Sequence, residues 1–72
     1  MRIDTQLKIL CAKTDITNAE IARRLGKTPQ AFNQKIKRGH ISVDDLKDIA
    51  LVTGCQVECK FVFLDGSTIE LN

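Results

Sequence analysis

The chain has 72 residues, of which 43% are hydrophobic and 28% charged, and its formal net charge is +2. These values fit one small globular domain and exclude a disordered chain or a second domain of ordinary size. No apolar run approaches the ~20 residues that span a bilayer, and the first residues lack the layout of a signal peptide, so we expect a soluble cytoplasmic protein with no membrane partner.

The first predicted helix covers about residues 4 to 13. Apolar and small side chains recur there every three or four residues, which places them along one stripe of an amphipathic helix. We expect this stripe to face the core of the domain. It consists of Ile3, Leu7, Leu10, Cys11 and Thr14.

A stronger start signal precedes the second predicted helix, which covers residues 18 to 25. Thr17 can accept a hydrogen bond from the backbone amide of Glu20, and the Glu20 carboxylate can reach back to the Thr17 amide. This reciprocal capping box is typical of a helix N-terminus. Gly26 follows, and glycine tolerates the left-handed conformation with which helices commonly end.

The third predicted helix covers residues 29 to 38 and begins shortly after that glycine. Thr28 is its predicted N-cap. Pro29 takes the first helical position, where the missing amide proton has no cost. We expect the helix to end before Gly39.

The fourth predicted helix covers residues 43 to 53. Ser42 is its predicted cap, and Asp44 and Asp45 stabilise the positive end of the helix dipole. Gly54 ends the helix. The side chains expected to face the core are Leu46, Ile49, Ala50 and Thr53.

After this helix the hydrophobic period changes from 3.6 to 2 residues, which predicts a two-stranded antiparallel hairpin over about residues 56 to 71. A two-residue loop would mix polar and apolar side chains on both faces. A three-residue loop with Gly66 in the left-handed bulge position makes one face apolar and gives the other an opposite-charge pair. Since an isolated hairpin is marginally stable, its apolar face must lie on the helices or on another subunit. This register pairs Phe61 with Ile69, Lys60 with Glu70 and Cys59 with Leu71.

The second and third predicted helices, joined by a short glycine turn, have the outline of a helix-turn-helix. Residues 18 to 36 resemble the Cro/C1-type (XRE-like) family of bacterial and phage DNA-binding regulators, and the segment from Thr28 to Arg38 resembles a compact branch with a following hairpin. One position departs, because Lys35 stands where the family has an apolar residue and Ile36 takes that role. The matching positions are Asn18, Ile21, Ala22, Leu25, Gly26 and Phe32.

This resemblance implies a mostly α fold of the λ repressor-like DNA-binding type, in a single domain over residues 1 to 72. It also implies a sequence-specific transcriptional regulator, expected to be a repressor, whose third helix enters the major groove of double-stranded DNA. Regulators of this kind read half-sites about one helical turn apart. We therefore expect a homodimer, with the C-terminal hairpin as the candidate dimer surface.

A helical wheel with Phe32 inward places amide and basic side chains on the outer face of the third helix. Gln and Asn can bond adenine N6 and N7 together, and an Ala methyl group can contact thymine. For each such residue the alternative is an exposed solubilising side chain. The predicted base-reading residues are Thr28, Gln30, Ala31, Asn33 and Gln34. The predicted phosphate-binding residues are Lys27, Lys35, Lys37, Arg38 and His40, with Asn18 added from the resemblance.

The distribution of charge along the chain places the basic residues in the half that contains the predicted helix-turn-helix. Residues 1 to 40 carry nine basic and three acidic side chains, whereas residues 41 to 72 carry two basic and six acidic ones. From Arg23 to Arg38 there are six basic residues and no acidic one. Such a segment is typical of a surface that binds a polyanion, although charge alone fits a solvated helix face equally well.

Other classes of function have weaker support in the sequence. An enzyme is not expected, because the single histidine has no nucleophile or carboxylate that spacing would bring to it. Cys11, Cys55 and Cys59 are expected as reduced, small apolar core residues, because their spacing does not fit a structural zinc site. We therefore predict no metal and no cofactor. The alternative function is a protein-interaction module of the antitoxin or antirepressor type that uses the hairpin edge to bind a protein.

Overall fold

Four helices followed by a two-stranded antiparallel hairpin make up the computed structural model, which describes residues 1–70. The mostly helical fold class is confirmed, and each predicted helix agrees with the structure to within one residue at either end. The single-domain assignment of the whole chain stays a prediction. The elements are α1 (Asp4–Thr14), α2 (Asn18–Arg24), α3 (Pro29–Arg38), α4 (Val43–Thr53), β1 (Lys60–Val62) and β2 (Thr68–Glu70).

Three of the helices begin at the caps that the sequence predicts. The Thr17 hydroxyl accepts from the Glu20 amide at 3.1 Å, and the Thr28 hydroxyl accepts from the amide of the third residue of α3 at 3.2 Å. Ser42 and Asp45 form a complete capping box, because the Asp45 carboxylate also accepts from the Ser42 amide at 2.8 Å. These bonds satisfy backbone donors that the helices themselves leave free.

The second half of the capping box predicted at the start of α2 is wrong. The Glu20 carboxylate does not return to the Thr17 amide but accepts hydrogen bonds from Arg23 at 2.9 Å and from Arg24 at 3.3 Å. A guanidinium partner adds the attraction of opposite charges to the hydrogen bond, and a neutral amide does not. The hydrogen bond and charge of Arg23, with a smaller effect of Arg24, hold the pKa of Glu20 below its usual value. Arg24 also donates to the Val52 carbonyl at 2.8 Å, which ties α2 to α4.

The core lies where the four helices meet, and the apolar stripes predicted for them face it. Ile21 of α2 is completely buried, and Phe32 of α3 is 2% exposed. Leu46 of α4 and Leu10 of α1 pack against the core at its edge. The core cluster consists of Ile3, Leu7, Ile21, Ala22, Phe32, Ile36, Ile41 and Ile49.

The prediction that the cysteines fill the core is wrong for Cys55, which is exposed, while Cys11 and Cys59 are partly buried. Gly54 adopts a positive φ of 76° and turns the chain away from α4. The Cys55 amide still bonds to the carbonyl of Ala50 at 2.9 Å, and its Sγ lies 3.1 Å from the Thr53 hydroxyl, so the residue stays against the end of α4 although it is exposed.

An ion pair joins α3 to α4 at the edge of the core. The Lys35 ammonium lies 2.8 Å from the Asp45 carboxylate, and the two side chains are 32% and 20% exposed. Partial burial opposes ionisation of Asp45, but hydrogen bonds from Lys35 and Ser42 outweigh it and lower the pKa of Asp45. One carboxylate therefore both caps α4 and anchors α3.

This carboxylate gives the fold a predicted sensitivity to acid. Because the pKa of Asp45 is lower in the folded state, its stabilisation is present above the unfolded-state pKa of about 4 and is lost as pH falls through the folded value. We expect Asp45→Asn to lower the free energy of unfolding by about 1–2 kcal/mol at neutral pH and to flatten its decline in acid. Urea unfolding at several pH values measures both. Asp48→Asn, at an exposed position of the same helix, is the control, and an unchanged acid profile in Asp45→Asn contradicts the assignment.

The predicted register of the hairpin is confirmed. Lys60 pairs with Glu70, Phe61 with Ile69 and Val62 with Thr68 across a three-residue loop. Gly66 takes the left-handed position with a φ of 90°. The strands are shorter than the predicted span from residue 56, and the predicted partner of Cys59, Leu71, lies outside the described residues.

The structure also shows what surrounds the two faces of the hairpin. On the charged face Lys60 lies opposite Glu70, but among residues 1–70 its ion pair is with Glu58, at 3.4 Å. The apolar face does not pack on the helices, which was one of the two alternatives, since every residue from 60 to 70 is exposed, including Phe61 at 59% and Ile69 at 55%. The helices therefore leave the apolar side of the hairpin uncovered, and its covering by another subunit stays a prediction.

Candidate nucleic-acid interface

The third helix has one buried side and one exposed side, as the helical wheel predicts. Phe32 and Ile36 are 2% and 6% exposed and fix the inner side to the core. Ile36 thus fills the apolar position that Lys35 cannot. The exposed side chains of α3 are Gln30, Ala31, Asn33, Gln34, Lys37 and Arg38.

The amide groups on the exposed side are free to bind. Within residues 1–70, the side chains of Gln30, Asn33 and Gln34 make no hydrogen bond to the protein itself. An amide side chain offers both a donor and an acceptor, which is what a bidentate contact to adenine requires. The helix therefore presents unused hydrogen-bonding groups on a rigid support.

The first turn of α3 adds two small groups. Thr28 accepts a hydrogen bond from the Ala31 amide, so its hydroxyl oxygen serves as the helix cap while its proton remains available for donation. Ala31 is exposed and presents a methyl group. Both predicted roles are therefore compatible with the observed structure of this turn.

The predicted phosphate-binding residues fall into two groups. Lys27, Lys37, Arg38 and His40 are exposed, and none of them forms an ion pair within the part of the chain that the structure describes. Lys35 differs, because its ammonium is held by Asp45 and its side chain is only about a third exposed. The structure therefore gives Lys35 a role in the fold, where the sequence predicted a phosphate contact.

Asn18 is the first residue of α2 and is partly buried. Its carbonyl oxygen Oδ1 accepts a hydrogen bond from the Sγ of Cys11 at 3.0 Å. The side-chain Nδ2 has no partner within residues 1–70. The end of Asn18 that remains available is thus a hydrogen-bond donor.

A basic residue that the sequence analysis did not include lies beside the C-terminus of α3. The exposed Arg2 packs on Gly39, where an ideal Cβ would lie 3.1 Å from the Arg2 Cγ, and the amino group of Met1 donates to the Gly39 carbonyl. Arg2 therefore joins the basic residues at this end of the helix. Nothing local in the sequence indicates this, because the contact joins residues 37 positions apart.

Together these residues form a surface with unpaired amides along one helix and positive charge around it. Such a combination can hydrogen-bond to base edges and bind the phosphates that flank them. Among the residues described, no group of three or more His, Cys, Asp or Glu is arranged to hold a metal ion. No helix over the same range is long and apolar enough to cross a membrane.

A family model described as winged helix-turn-helix DNA-binding matches residues 6–38, which include most of α1 and all of α2 and α3. The match supports a helix-turn-helix DNA-binding domain and, with it, a DNA-binding regulator of a kind that is typically non-enzymatic. It does not single out the Cro/C1-type class that the sequence resembles. No curated protein and no solved structure matches the chain.

Proposed function

With a DNA-binding helix-turn-helix as the premise, we propose that this protein is a sequence-specific transcriptional repressor of the Cro/C1 type. In this proposal α3 lies in the major groove of double-stranded DNA. The observation that carries the proposal is the exposed side of α3, where three amide side chains have no partner among residues 1–70 while Phe32 and Ile36 fix the helix from behind. Rigid support of this kind makes a hydrogen-bond pattern specific.

The proposed division of roles follows from position and charge. Base reading is assigned to the first turn and outer side of α3, where short polar groups reach the groove first. Phosphate binding is assigned to the surrounding donors, which give affinity without sequence preference. The proposed base readers are Thr28, Gln30, Ala31, Asn33 and Gln34. The proposed phosphate contacts are Asn18, Lys27, Lys37, Arg38 and His40, joined by Arg2.

Selection of bound sequences from a random DNA pool tests the proposal as a whole. We expect enrichment of a two-fold symmetric site with half-sites about one helical turn apart. Placing that site across a promoter should then lower reporter expression when the protein is present. If no sequence is enriched, the proposal of sequence-specific binding fails.

Gln34→Ala tests the assignment of base readers. We expect it to weaken binding to the selected site by about 1–3 kcal/mol and to leave binding to unrelated DNA almost unchanged, because only a base contact is lost. Titration of both DNAs with the variant gives the two affinities. Lys37→Ala is the matched control on the same helix. It should weaken binding to both DNAs equally and should lower the slope of log affinity against log salt concentration by about one. If Gln34→Ala weakened binding to both DNAs equally, Gln34 would contact the DNA backbone and not a base.

The proposed working form is a homodimer joined through the hairpin. Phe61 and Ile69 face each other on one side of the strands, and Phe63 extends the same side, yet all three are about half exposed. A second copy presents the same surface, so two-fold pairing covers both at once. The same symmetry places two copies of α3 on a two-fold symmetric site.

A second candidate function rests on the same exposed hairpin. In it the hairpin binds a different protein, as in an antitoxin or antirepressor, and the helix-turn-helix serves as a scaffold. DNA affinity separates the two candidates. A regulator shows a steep loss of affinity with added salt, whereas the interaction module shows weak binding to every DNA tested.

A further inference from the structure

The thiol of Cys11 connects the end of α1 to the start of α2. Cys11 lies in the last turn of α1, and its Sγ is 3.0 Å from the Oδ1 of Asn18, the first residue of α2. Both side chains are partly buried. The Cys11 carbonyl also accepts the amide of Ile16 at 3.3 Å, so the position of the thiol relative to α2 is held by the backbone turn.

The chemistry of the two groups decides which end of the Asn18 amide points inward. Burial raises the pKa of the Cys11 thiol, so the group stays protonated and acts as a donor. In the structure the thiol proton is donated to Oδ1, since the amide nitrogen of Asn18 offers no acceptor for it. The orientation with Oδ1 on the thiol is therefore favoured, and within residues 1–70 it leaves the two protons of Nδ2 without an acceptor.

We propose that Cys11 is a positioning residue that holds the Asn18 amide with its NH2 group outward, ready to donate to a DNA phosphate. This inference rests on the proposed function, in which Asn18 is a phosphate contact. A phosphate oxygen only accepts hydrogen bonds. The reversed amide would present an oxygen to it and would repel it.

The orientation can be measured in the free protein, without DNA. In the wild type, nuclear Overhauser effects between the Cys11 β protons and the Asn18 NH2 protons should be weak, because the NH2 group points away. Cys11→Ala removes the donor, so the effects should strengthen as the amide samples both orientations. Cys11→Ser keeps a donor and should restore the wild-type pattern. Equal, strong effects in all three proteins overturn the inference, and circular dichroism confirms that each is folded.

DNA binding tests the purpose of this orientation on a duplex of random sequence. Asn18→Ala should weaken binding roughly fivefold, the value of one hydrogen bond. Cys11→Ala should weaken it about twofold if half of the amides are reversed, and Cys11→Ser should restore it. The salt slope should not change in any of these variants, because Asn18 is neutral and releases no counterion. Asn18→Asp keeps the oxygen that the thiol needs but turns a negative charge outward, so it should bind most weakly of all.

The double variant Cys11→Ala/Asn18→Ala separates failure of the inference from failure of the proposed function. If Cys11 acts through Asn18, the double variant binds DNA as Asn18→Ala does. A further loss on adding Cys11→Ala overturns the positioning role while the phosphate contact stands. Unchanged DNA affinity in Asn18→Ala removes the phosphate contact itself, even where the spectra show the amide held by the thiol.

Discussion

Phe32→Ala is expected to lower the free energy of unfolding by about 3–5 kcal/mol. Phe32 is 2% exposed and belongs to the cluster that joins all four helices, so truncation leaves a cavity that the surrounding helices cannot close. A domain of this size has a total stability of roughly 4–11 kcal/mol at ordinary values per residue. The expected loss is therefore a large part of the total stability, and urea unfolding followed by circular dichroism measures it.

Phe61→Ala is the matched control, since it deletes the same atoms from the same residue type. Phe61 is 59% exposed on the hairpin. In dilute solution, where the chain is a monomer, we expect a loss below about 1 kcal/mol. If Phe32→Ala and Phe61→Ala lowered the free energy of unfolding by similar amounts, this would contradict the observed separation of the hairpin from the core. A loss that grows for Phe61→Ala only at high protein concentration indicates that a second chain covers this side chain.

This contrast marks the limit of what could be predicted from the sequence. Both phenylalanines occupy apolar positions in regular patterns, one with the period of a helix and one with that of a strand. For Phe32 the pattern is decisive, because the helix has one apolar side and the core is the only apolar surface within reach. For Phe61 the register follows from the pattern, but an apolar strand face is covered equally well by the same chain or by another.

The local features of the fold were predictable because they depend on neighbouring residues. Thr28 and Ser42 cap their helices through amides three positions away, and Gly66 turns the hairpin with a positive φ. Even there a competitor can intervene, as at Glu20, where the two arginines displace the backbone amide. A sequence pattern does not weigh such competing partners against each other.

The sequence predicts which side chains of the candidate site are exposed, but not which contacts they make with other helices. The exposed side of α3 follows from the helical period. Lys35 was expected beside the DNA, yet it bonds to Asp45, ten positions away on another helix. The bond between Cys11 and Asn18 likewise depends on how two helices meet. Contacts of this kind arise from tertiary packing, which the spacing of residue types does not encode.

The hairpin carries the second large expected effect. Phe61→Asp should abolish the proposed dimer, because it places a charge in the centre of the apolar side formed with Ile69 and Phe63. Sedimentation should then show a monomer where the wild type forms a dimer. Affinity for a two-fold symmetric DNA site should fall by about 10²–10⁴, because the second half-site no longer benefits from the first.

Val62→Asp is the matched control, because residue 62 lies on the same strand and points to the opposite side. Val62 is 66% exposed, so the same charge is introduced at an equally accessible position. We expect this variant to remain a dimer and to keep its affinity for the symmetric site. On DNA that contains a single half-site, both variants should bind as the wild type does, because α3 is unchanged. A wild type that sediments as a monomer with and without DNA contradicts the proposed dimer. If both variants sediment as monomers, the dimer does not form through the side of the hairpin that carries Phe61.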